Sequence, residues 1–122
     1  MKALVVDDSV TMRKMLVQFL LQVGIDDCVM AIDGKDALVK LSENSDVDLI
    51  LCDWNMPNMS GMELLTTIRK SANKSEKKFI MVTSEGDQMH VVEAIKGGAN
   101  NYIIKPFNPA EVIKKIESVI NT

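Results

Sequence analysis

The apolar residues of this chain alternate between short continuous runs and stripes at helical spacing. Five runs, at residues 3–6, 28–32, 48–52, 79–82 and 102–104, are rich in the Val, Ile and Leu of strands buried on both faces. Between the runs, apolar residues recur every three or four positions, as they do on one face of an α-helix. Strands that alternate with helices form a parallel sheet covered by helices on both faces. We therefore predict an α/β fold of five strands and five helices.

Residues suited to helix ends lie where this pattern places the helix boundaries. Ser9 and Gly24 flank the first stripe, and Asn108 precedes a proline at the start of the last one. Ser60 and Glu63 have the spacing of a capping box for the third helix. The side chains predicted to face the core are Met12, Met15, Leu16, Phe19, Leu20 and Val23 in the first helix, Ala37, Leu38 and Leu41 in the second, Met62, Leu65 and Ile68 in the third, Val91, Ala94 and Ile95 in the fourth, and Val112, Ile113, Ile116, Val119 and Ile120 in the fifth.

The length of 122 residues and the net charge of −3 limit the kind of protein this can be. One domain of roughly 100–150 residues fits this length. The weakly acidic balance and the lack of a basic stripe argue against nucleic-acid binding. No apolar run reaches the roughly 18–20 residues that cross a bilayer, and no signal peptide is evident. Cys28 and Cys52 fit no disulfide or metal pattern, and we expect a cytoplasmic protein.

Polar side chains follow four of the five predicted strands. They are Asp7 and Asp8 after the first, Asp53 after the third, Thr83 and Ser84 after the fourth, and Lys105 after the fifth. Ligands of a doubly wound sheet bind beyond the carboxyl ends of its strands, so we expect these groups to share one edge. Carboxylates about 5 Å apart repel each other by roughly 3 kcal/mol at an effective dielectric near 20. Oxygen ligands without His or Cys favour Mg²⁺ as the relieving cation, with Mn²⁺ or Ca²⁺ as substitutes.

Together these groups contain the parts for phosphoryl transfer to a carboxylate. Asp7 and Asp8 are suited to hold the metal, and Asp53, alone at its strand end, is suited to accept the phosphoryl group. Lys105 could neutralise one phosphoryl oxygen and the Thr83 hydroxyl could bond another. Such reactions depend mainly on positioning and charge neutralisation.

Each of these features also has a structural interpretation. The acidic pair could stabilise the first helix through its dipole, and the lone acid after the third strand could be a turn residue. The hydroxyl pair could cap a helix, and the lysine could be a solvated loop residue. The occurrence of complementary groups at four separate strand ends favours the shared site.

In order and spacing these motifs resemble the receiver domains of two-component response regulators. The residues that carry the resemblance are Val5-Val6-Asp7-Asp8-Ser9, Asp53-Trp54-Asn55-Met56-Pro57-Asn58-Met59, Val82-Thr83 and Lys105-Pro106-Phe107, and the match covers residues 4 to about 120. The resemblance implies a flavodoxin-like (βα)5 doubly wound sandwich with a five-stranded parallel sheet in the order 2-1-3-4-5. It also implies a single receiver domain over residues 1–122, with no output domain.

The resemblance also implies a role for each matching residue. Asp53 matches the phosphoacceptor, and Asp7 and Asp8 match the acidic pair that holds Mg²⁺ beside it. Asn55 matches the residue that lends a backbone carbonyl to the metal. Asn55 and Glu85 match the two variable positions that tune the dephosphorylation rate.

The remaining matches concern the response to phosphorylation. Thr83 and Tyr102 match the two switch residues, which move inward together on activation. Lys105 matches the lysine that pairs with the phosphoryl group, and its bond to Pro106 is typically cis in the family. The resemblance implies a signalling domain rather than an enzyme, one that catalyses only its own phosphorylation and slow dephosphorylation.

Within the family, residues 53–57 are most similar to single-domain chemotaxis regulators. This implies phosphorylation by a CheA-like histidine kinase and control of flagellar rotation through a FliM-like motor switch protein, with a phosphatase as a further partner. The contact surface would comprise the fourth helix, fifth strand and fifth helix. Residues 86–90 are less basic than such a surface would be, and Ser60 replaces an acid. We expect a monomer, because we identify no spare apolar helix face, and neither nucleic acid nor membrane as a partner.

Three other functions fit part of the pattern. A phosphate sink or phosphorelay intermediate would keep the chemistry without motor contact. A phosphatase with an aspartyl-phosphate intermediate needs a second acid two residues after the nucleophile on the first strand, where Ser9 stands, and room for a cap. A cofactor-binding α/β module needs a Gly-rich phosphate loop after the first strand, where Asp7 and Asp8 stand.

A few residues outside these motifs have plainer interpretations. We expect His90, the single histidine, at a solvated helix position. Most of the nine methionines fit the core, with surface exceptions at Met56, Met59 and Met89. Cys52 is expected to be a small buried apolar residue.

Overall fold

The computed structural model describes residues 1–71, 76–84 and 88–121, in which five strands alternate with five helices. The strands are β1 (Lys2–Val6), β2 (Asp27–Ala31), β3 (Leu49–Asp53), β4 (Lys78–Ser84) and β5 (Asn101–Lys105). The helices are α1 (Val10–Gln22), α2 (Gly34–Glu43), α3 (Gly61–Lys70), α4 (Gln88–Lys96) and α5 (Pro109–Ile120). The predicted α/β fold is confirmed. Within the described residues, none of these helices has the length and apolar character needed to span a membrane.

All five strands lie parallel in one sheet, in the order β2-β1-β3-β4-β5. The order predicted for a flavodoxin-like sandwich is therefore confirmed. The strand order reverses between β1 and β3, because β2 lies on one side of β1 and β3 on the other. In folds of this type the crevice at that reversal is where ligands bind.

Two apolar layers, one on each face of the sheet, hold the helices in place. One layer joins the sheet to α2, α3 and α4 through residues such as Leu41, Leu65 and Ala94. The other joins it to α1 and α5 through residues such as Leu16 and Ile116. Every residue of β3 is buried, since this central strand has a neighbour on each side and a layer on each face. The polar end of β3 is thus fixed by the best-packed part of the molecule.

The helix ends form as their sequences predict. The side chains of Ser9 and Asn108 each accept a hydrogen bond from a backbone N–H in the first turn of α1 and α5, respectively. Ser60 and Glu63 form the reciprocal hydrogen bonds of a capping box at the start of α3. Gly24, directly beyond α1, has a φ of 87°, a value that favours glycine at the end of a helix.

Strands β4 and β5 run further than their apolar residues predict, and β3 reaches Asp53 as predicted. The strands β3, β4 and β5 end at Asp53, Ser84 and Lys105, because Asp53 pairs with Val82 and Ser84 pairs with Lys105. These polar residues stand on strands instead of loops. Their backbones are held by the sheet before any ligand arrives.

The packing of α4 differs from its prediction. Ala94 is buried, whereas Met89, Val92 and Ile95 are 77%, 50% and 46% exposed and form what we call the α4 face. The prediction that Ile95 faces the core is therefore wrong, as is the same prediction for Met15, which is 38% exposed. The statement that the chain has no spare apolar helix face is also wrong. The monomeric state stays a prediction without that support.

Candidate functional site

The carboxylates predicted at the strand ends meet at the reversal of strand order. Asp7 and Asp8 follow β1, and Asp53 is the last residue of β3. One carboxylate oxygen from each of the three lies within 4.8 Å of the others. Asp7 and Asp53 are buried, whereas Asp8 is exposed. The predicted cluster is therefore present, with one acid open to solvent.

Lys105 provides a positive charge inside this cluster. Its ammonium nitrogen lies 3.2 Å from Asp53 Oδ1 and 3.3 Å from Asp7 Oδ2. The lysine side chain is only 16% exposed, so it is not the solvated loop residue of the structural interpretation. The Lys105–Pro106 peptide bond is cis, as the resemblance implied.

Backbone and side-chain hydrogen bonds orient Asp7. The Ser9 N–H donates to Asp7 Oδ1 at 2.9 Å, which leaves Oδ2 toward Lys105. The Arg13 guanidinium donates to the Asp7 carbonyl oxygen at 2.6 Å. Both contacts come from the start of α1, so the helix holds the acid in the cluster. Asp7 therefore contacts the start of α1 with one carboxylate oxygen and Lys105 with the other.

The surroundings of the site disfavour the negative charge of Asp53 and favour the positive charge of Lys105. Burial and the neighbouring Asp7 carboxylate raise the pKa of Asp53, and the Lys105 ammonium offsets them only in part. Burial works against the charge of Lys105, but the attraction of Asp53 and Asp7 outweighs it and raises the lysine pKa. The protein thus keeps a carboxylate where its charge is unfavourable and a lysine where its charge is favoured.

The donor set fits a hard divalent cation. The cluster holds three carboxylates, and the Lys105 ammonium forms ion pairs with two of them, Asp7 and Asp53. All the ligand atoms are oxygens, and one of the acids is open to solvent, which suits a cation that keeps several waters. The residues Asp7, Asp8 and Asp53 could therefore hold Mg²⁺.

The two predicted switch residues lie in neighbouring strands. Thr83 is buried in β4, with its hydroxyl oxygen 3.5 Å from the carbonyl oxygen of Ser84. Tyr102 is half-buried in β5, with the Lys115 ammonium 3.6 Å above its ring centroid. Tyr102 also lines a groove of about 350 Å³ between α4 and β5, together with Gln88, Val91, Val92 and Ile104.

Of the two residues predicted to tune the dephosphorylation rate, the structure describes one, Asn55. Asn55 is exposed in the loop that follows Asp53. Glu85 lies outside the described residues. The rate-tuning roles of both residues stay predictions.

The rings of Trp54 and His90 join the site to α4. Their centroids are 4.4 Å apart and their planes differ by 27°, which is a stacked arrangement. His90 is half-buried in the first turn of α4, so its predicted solvated position is wrong. Trp54 follows the candidate acceptor Asp53. Helix α4 therefore contacts the residue next to the site directly.

Comparison with known proteins agrees with the fold and the order of these residues. The model of the response regulator receiver domain matches residues 3–117. The chain belongs to this family. Over all 122 residues it is 44% identical to a chemotaxis protein CheY homolog of Campylobacter jejuni and covers 94% of it. It is 43% identical to chemotaxis protein CheY1 of Helicobacter pylori and covers 98% of that chain.

Solved structures of receiver domains superimpose closely on this one. The chemotaxis protein CheY4 of Vibrio cholerae matches with a TM-score of 0.86 and 33% identity, over 97% of each chain. A putative response regulator of Chloroflexus aurantiacus matches with a TM-score of 0.91 and 28% identity, over 99% of this chain and 98% of the other. The chain is thus a signalling domain of the receiver type, with relatives named for chemotaxis.

Sequence reasoning missed two groups of residues near the site. One is the stack of His90 on Trp54. The other is the contact between the turn before α2 and the loop after β3, where Asn58 donates to Asp33. Both pairs are far apart in the sequence and follow no spacing rule, so no local signal indicates them.

Proposed function

We propose that this receiver domain accepts a phosphoryl group on Asp53 from the phosphohistidine of a partner kinase. The modification then acts through α4 and β5 on a target protein. The observation that carries the proposal is the position of the Lys105 ammonium, which contacts both Asp53 and Asp7 inside the acidic cluster. A lysine there is suited to pair with phosphoryl oxygens bonded to Asp53.

The transfer is a displacement at phosphorus. An oxygen of the ionised Asp53 carboxylate forms a bond to phosphorus as the bond to the histidine nitrogen breaks, and the imidazole takes a proton from water. Asp7, Asp8, Asp53 and the backbone carbonyl of Asn55 would hold Mg²⁺, which would supply charge neutralisation at the phosphoryl oxygens. Lys105 neutralises a further oxygen, and the reaction depends on positioning.

The response begins with the new charge. A phosphorylated acid carries up to about two negative charges, which draws Lys105 from Asp7 toward the phosphoryl group. The Thr83 hydroxyl then donates to a phosphoryl oxygen, and its movement makes room for the Tyr102 ring to turn inward. Tyr102 lines the groove beside α4, so this movement changes the shape of that groove.

The target binds the surface that this movement changes. The α4 face and the Tyr102 groove form adjoining apolar surface on the output side. Relatives at 43–44% identity are named as chemotaxis proteins. We infer that the target is a flagellar motor switch protein, bound through α4, β5 and α5, and that the kinase is of the chemotaxis type.

The phosphorylation step can be followed through Trp54, the single tryptophan of the chain. Mg²⁺ is added first, followed by acetyl phosphate or beryllofluoride, for the natural chain and for Asp53→Asn. We expect a saturable fluorescence change in the second step that needs Mg²⁺ and is lost in the variant. An equal change in Asp53→Asn would assign the signal to another site and contradict the proposal.

The target can be tested separately with a matched pair of surface variants. Val92→Lys places a charge on the α4 face, and Leu21→Lys places one on α1, at a residue with similar exposure of 45%. Beryllofluoride-activated protein should bind a purified motor switch protein, with loss of binding in Val92→Lys only. Absence of binding by the activated natural chain would favour a phosphate sink or relay.

A further inference from the structure

The loop between β3 and α3 carries the Asn55 carbonyl and is hydrogen-bonded at its base. The Trp54 N–H donates to the Val82 carbonyl oxygen at 2.8 Å, and the Gly61 N–H donates to the Trp54 carbonyl oxygen at 2.9 Å. Between these bonds, Asn55 and Pro57 are exposed. The base bonds fix where the loop starts and ends, but they leave its middle to be held by other contacts.

The tip of this loop is bonded to the start of α2. Asn58 Nδ2 donates to Asp33 Oδ2 at 3.0 Å, while Asp33 Oδ1 accepts from the Asp36 N–H at 2.8 Å and caps the helix. Asn58 has a φ of 69°, a left-handed conformation that asparagine tolerates. The hydrogen bonds from the Asp36 N–H and the Asn58 amide lower the pKa of Asp33, so both favour its ionised form.

An apolar contact accompanies this hydrogen bond. A Cβ atom at Gly34 would lie 2.8 Å from both Cβ and Cγ of Met59, so the methionine fills the space that glycine leaves. Met59 is partly buried against the apolar layer on this face of the sheet. The predicted surface positions of Met59 and of Met56, which packs against the same layer, are therefore wrong. Two successive residues of the loop thus meet two successive residues at the start of α2.

We propose that Asp33, Gly34, Asn58 and Met59 form a latch that positions the Asn55 carbonyl for the divalent cation. The inference rests on the proposed function, in which that carbonyl is a metal ligand. The latch lies three residues from Asn55 along a loop in which Asn55 and Pro57 are exposed and Met56 packs against the core. A ligand that is already ordered costs less conformational entropy to bind. Asp33, Gly34, Asn58 and Met59 are positioning residues, since none of them contacts the reacting atoms.

A charge-swap cycle tests the hydrogen bond, and its double variant has the same net charge as the natural chain. Asn58→Asp sets two carboxylates against each other, and Asp33→Asn removes the charged acceptor. The double variant restores one donor and one acceptor in the reverse direction, and asparagine still caps α2. Mg²⁺ affinity is measured by calorimetry and by Trp54 fluorescence, and thermal unfolding is measured in chelator for each protein.

We expect the double variant to bind Mg²⁺ within about twofold of the natural chain. If the effects of the two single variants simply added, they would predict a lower affinity for the double variant. We expect its measured affinity to be about fivefold higher than that sum, a ratio that corresponds to the free energy of one net hydrogen bond. Additive effects across the cycle, with no recovery in the double variant, would overturn the latch. Failure of the natural chain to bind Mg²⁺ would instead contradict the proposed function.

A steric variant tests the apolar contact independently. Gly34→Ala drives Cβ against the stem of Met59, and we expect it to weaken Mg²⁺ binding about threefold or more. Gly97→Ala is the control, because a Cβ at this position after α4 also meets a methionine, with Met62 Cε 2.6 Å away. Equal Mg²⁺ affinity in both variants and the natural chain, with each protein folded, would overturn this part of the latch.

Discussion

At the carboxyl edge of the sheet, three carboxylates are held around one lysine, whereas on α4 three large apolar side chains are left in water. The first region keeps charge where burial makes it unfavourable, as the raised pKa of Asp53 indicates. The second keeps apolar surface where burial would be favourable. Both regions therefore give up stability, in opposite ways, in a domain whose remaining layers are closely packed.

The two regions also differ in how firmly the fold holds them. The acidic edge is built on the ends of paired strands, so its groups hold their positions for chemistry. In α4 a single residue, Ala94, is buried, so fewer buried contacts hold this helix. The Trp54–His90 stack connects the two regions, since Trp54 follows Asp53 and His90 lies in the first turn of α4. The sheet thus holds the acidic edge firmly, whereas α4 is lightly packed.

The largest expected effect is a difference in stability between variants of α5 and α4. Ile116→Ala in α5 removes a fully buried side chain and should lower the free energy of unfolding by about 2–5 kcal/mol. Ile95→Ala in α4 removes the same atoms from a residue that is 46% exposed and should cost less than about 1 kcal/mol. Urea unfolding of both variants measures the difference. Similar losses would contradict the account of α4 as lightly packed.

The next prediction concerns the acidic edge. Lys105→Ala removes the ammonium group that contacts Asp53 and Asp7, and we expect phosphorylation by acetyl phosphate to slow about a hundredfold. Val92→Lys, on the α4 face, should leave that rate within about twofold, because exposed positions away from a site have small effects. Intact mass against time measures both rates. A normal rate in Lys105→Ala would remove the lysine from the chemistry.

The smallest effect is a gain in stability when the unfavourable charge is removed. Because the native pKa of Asp53 is raised, ionisation of this acid destabilises the folded state without metal. In chelator at pH 7, Asp53→Asn should therefore have a higher free energy of unfolding than the natural chain.

The same variant has a defined dependence on pH. The gain in stability of Asp53→Asn should appear as pH rises from 3.8, the ordinary pKa of an aspartate, through the raised pKa of Asp53 in the folded state. Below pH 3.8 the gain should vanish, because Asp53 is then protonated and as neutral as the asparagine of the variant. Chemical unfolding at several pH values measures it. Lower stability of the variant at pH 7 would show that the Lys105 attraction outweighs burial and repulsion.

The fold and the acidic edge were predictable for a common reason. Short buried runs and helix caps specify the alternation of elements, and in a parallel sheet every strand end points to one edge. The acids at 7, 8 and 53 and the lysine at 105 could therefore be grouped before any distance was known. Strands β4 and β5 were predicted too short, because the ladder continues through polar residues such as Ser84 and Lys105.

Other parts of the site could not be predicted, because they depend on how separate elements pack. The stack of His90 on Trp54 joins residues of α4 and the loop after β3. The Asn58–Asp33 hydrogen bond joins residues 25 positions apart. The exposure of Ile95 depends on how α4 packs against the sheet, and the apolar stripe of the helix does not predict that packing. Periodicity indicates that a helix has an apolar side, but not that the side is covered.

The most direct test of the central claim is the intact mass of the chain after incubation with acetyl phosphate. With Mg²⁺ present, we predict a gain of one phosphoryl group that reverses on hydroxylamine treatment, as acyl phosphates do. The gain should be absent in chelator and in Asp53→Asn, and it should persist in the exposed-acid control Asp46→Asn. An unchanged mass in the natural chain with Mg²⁺, or an equal gain in Asp53→Asn, would contradict the claim that Asp53 is the phosphoacceptor.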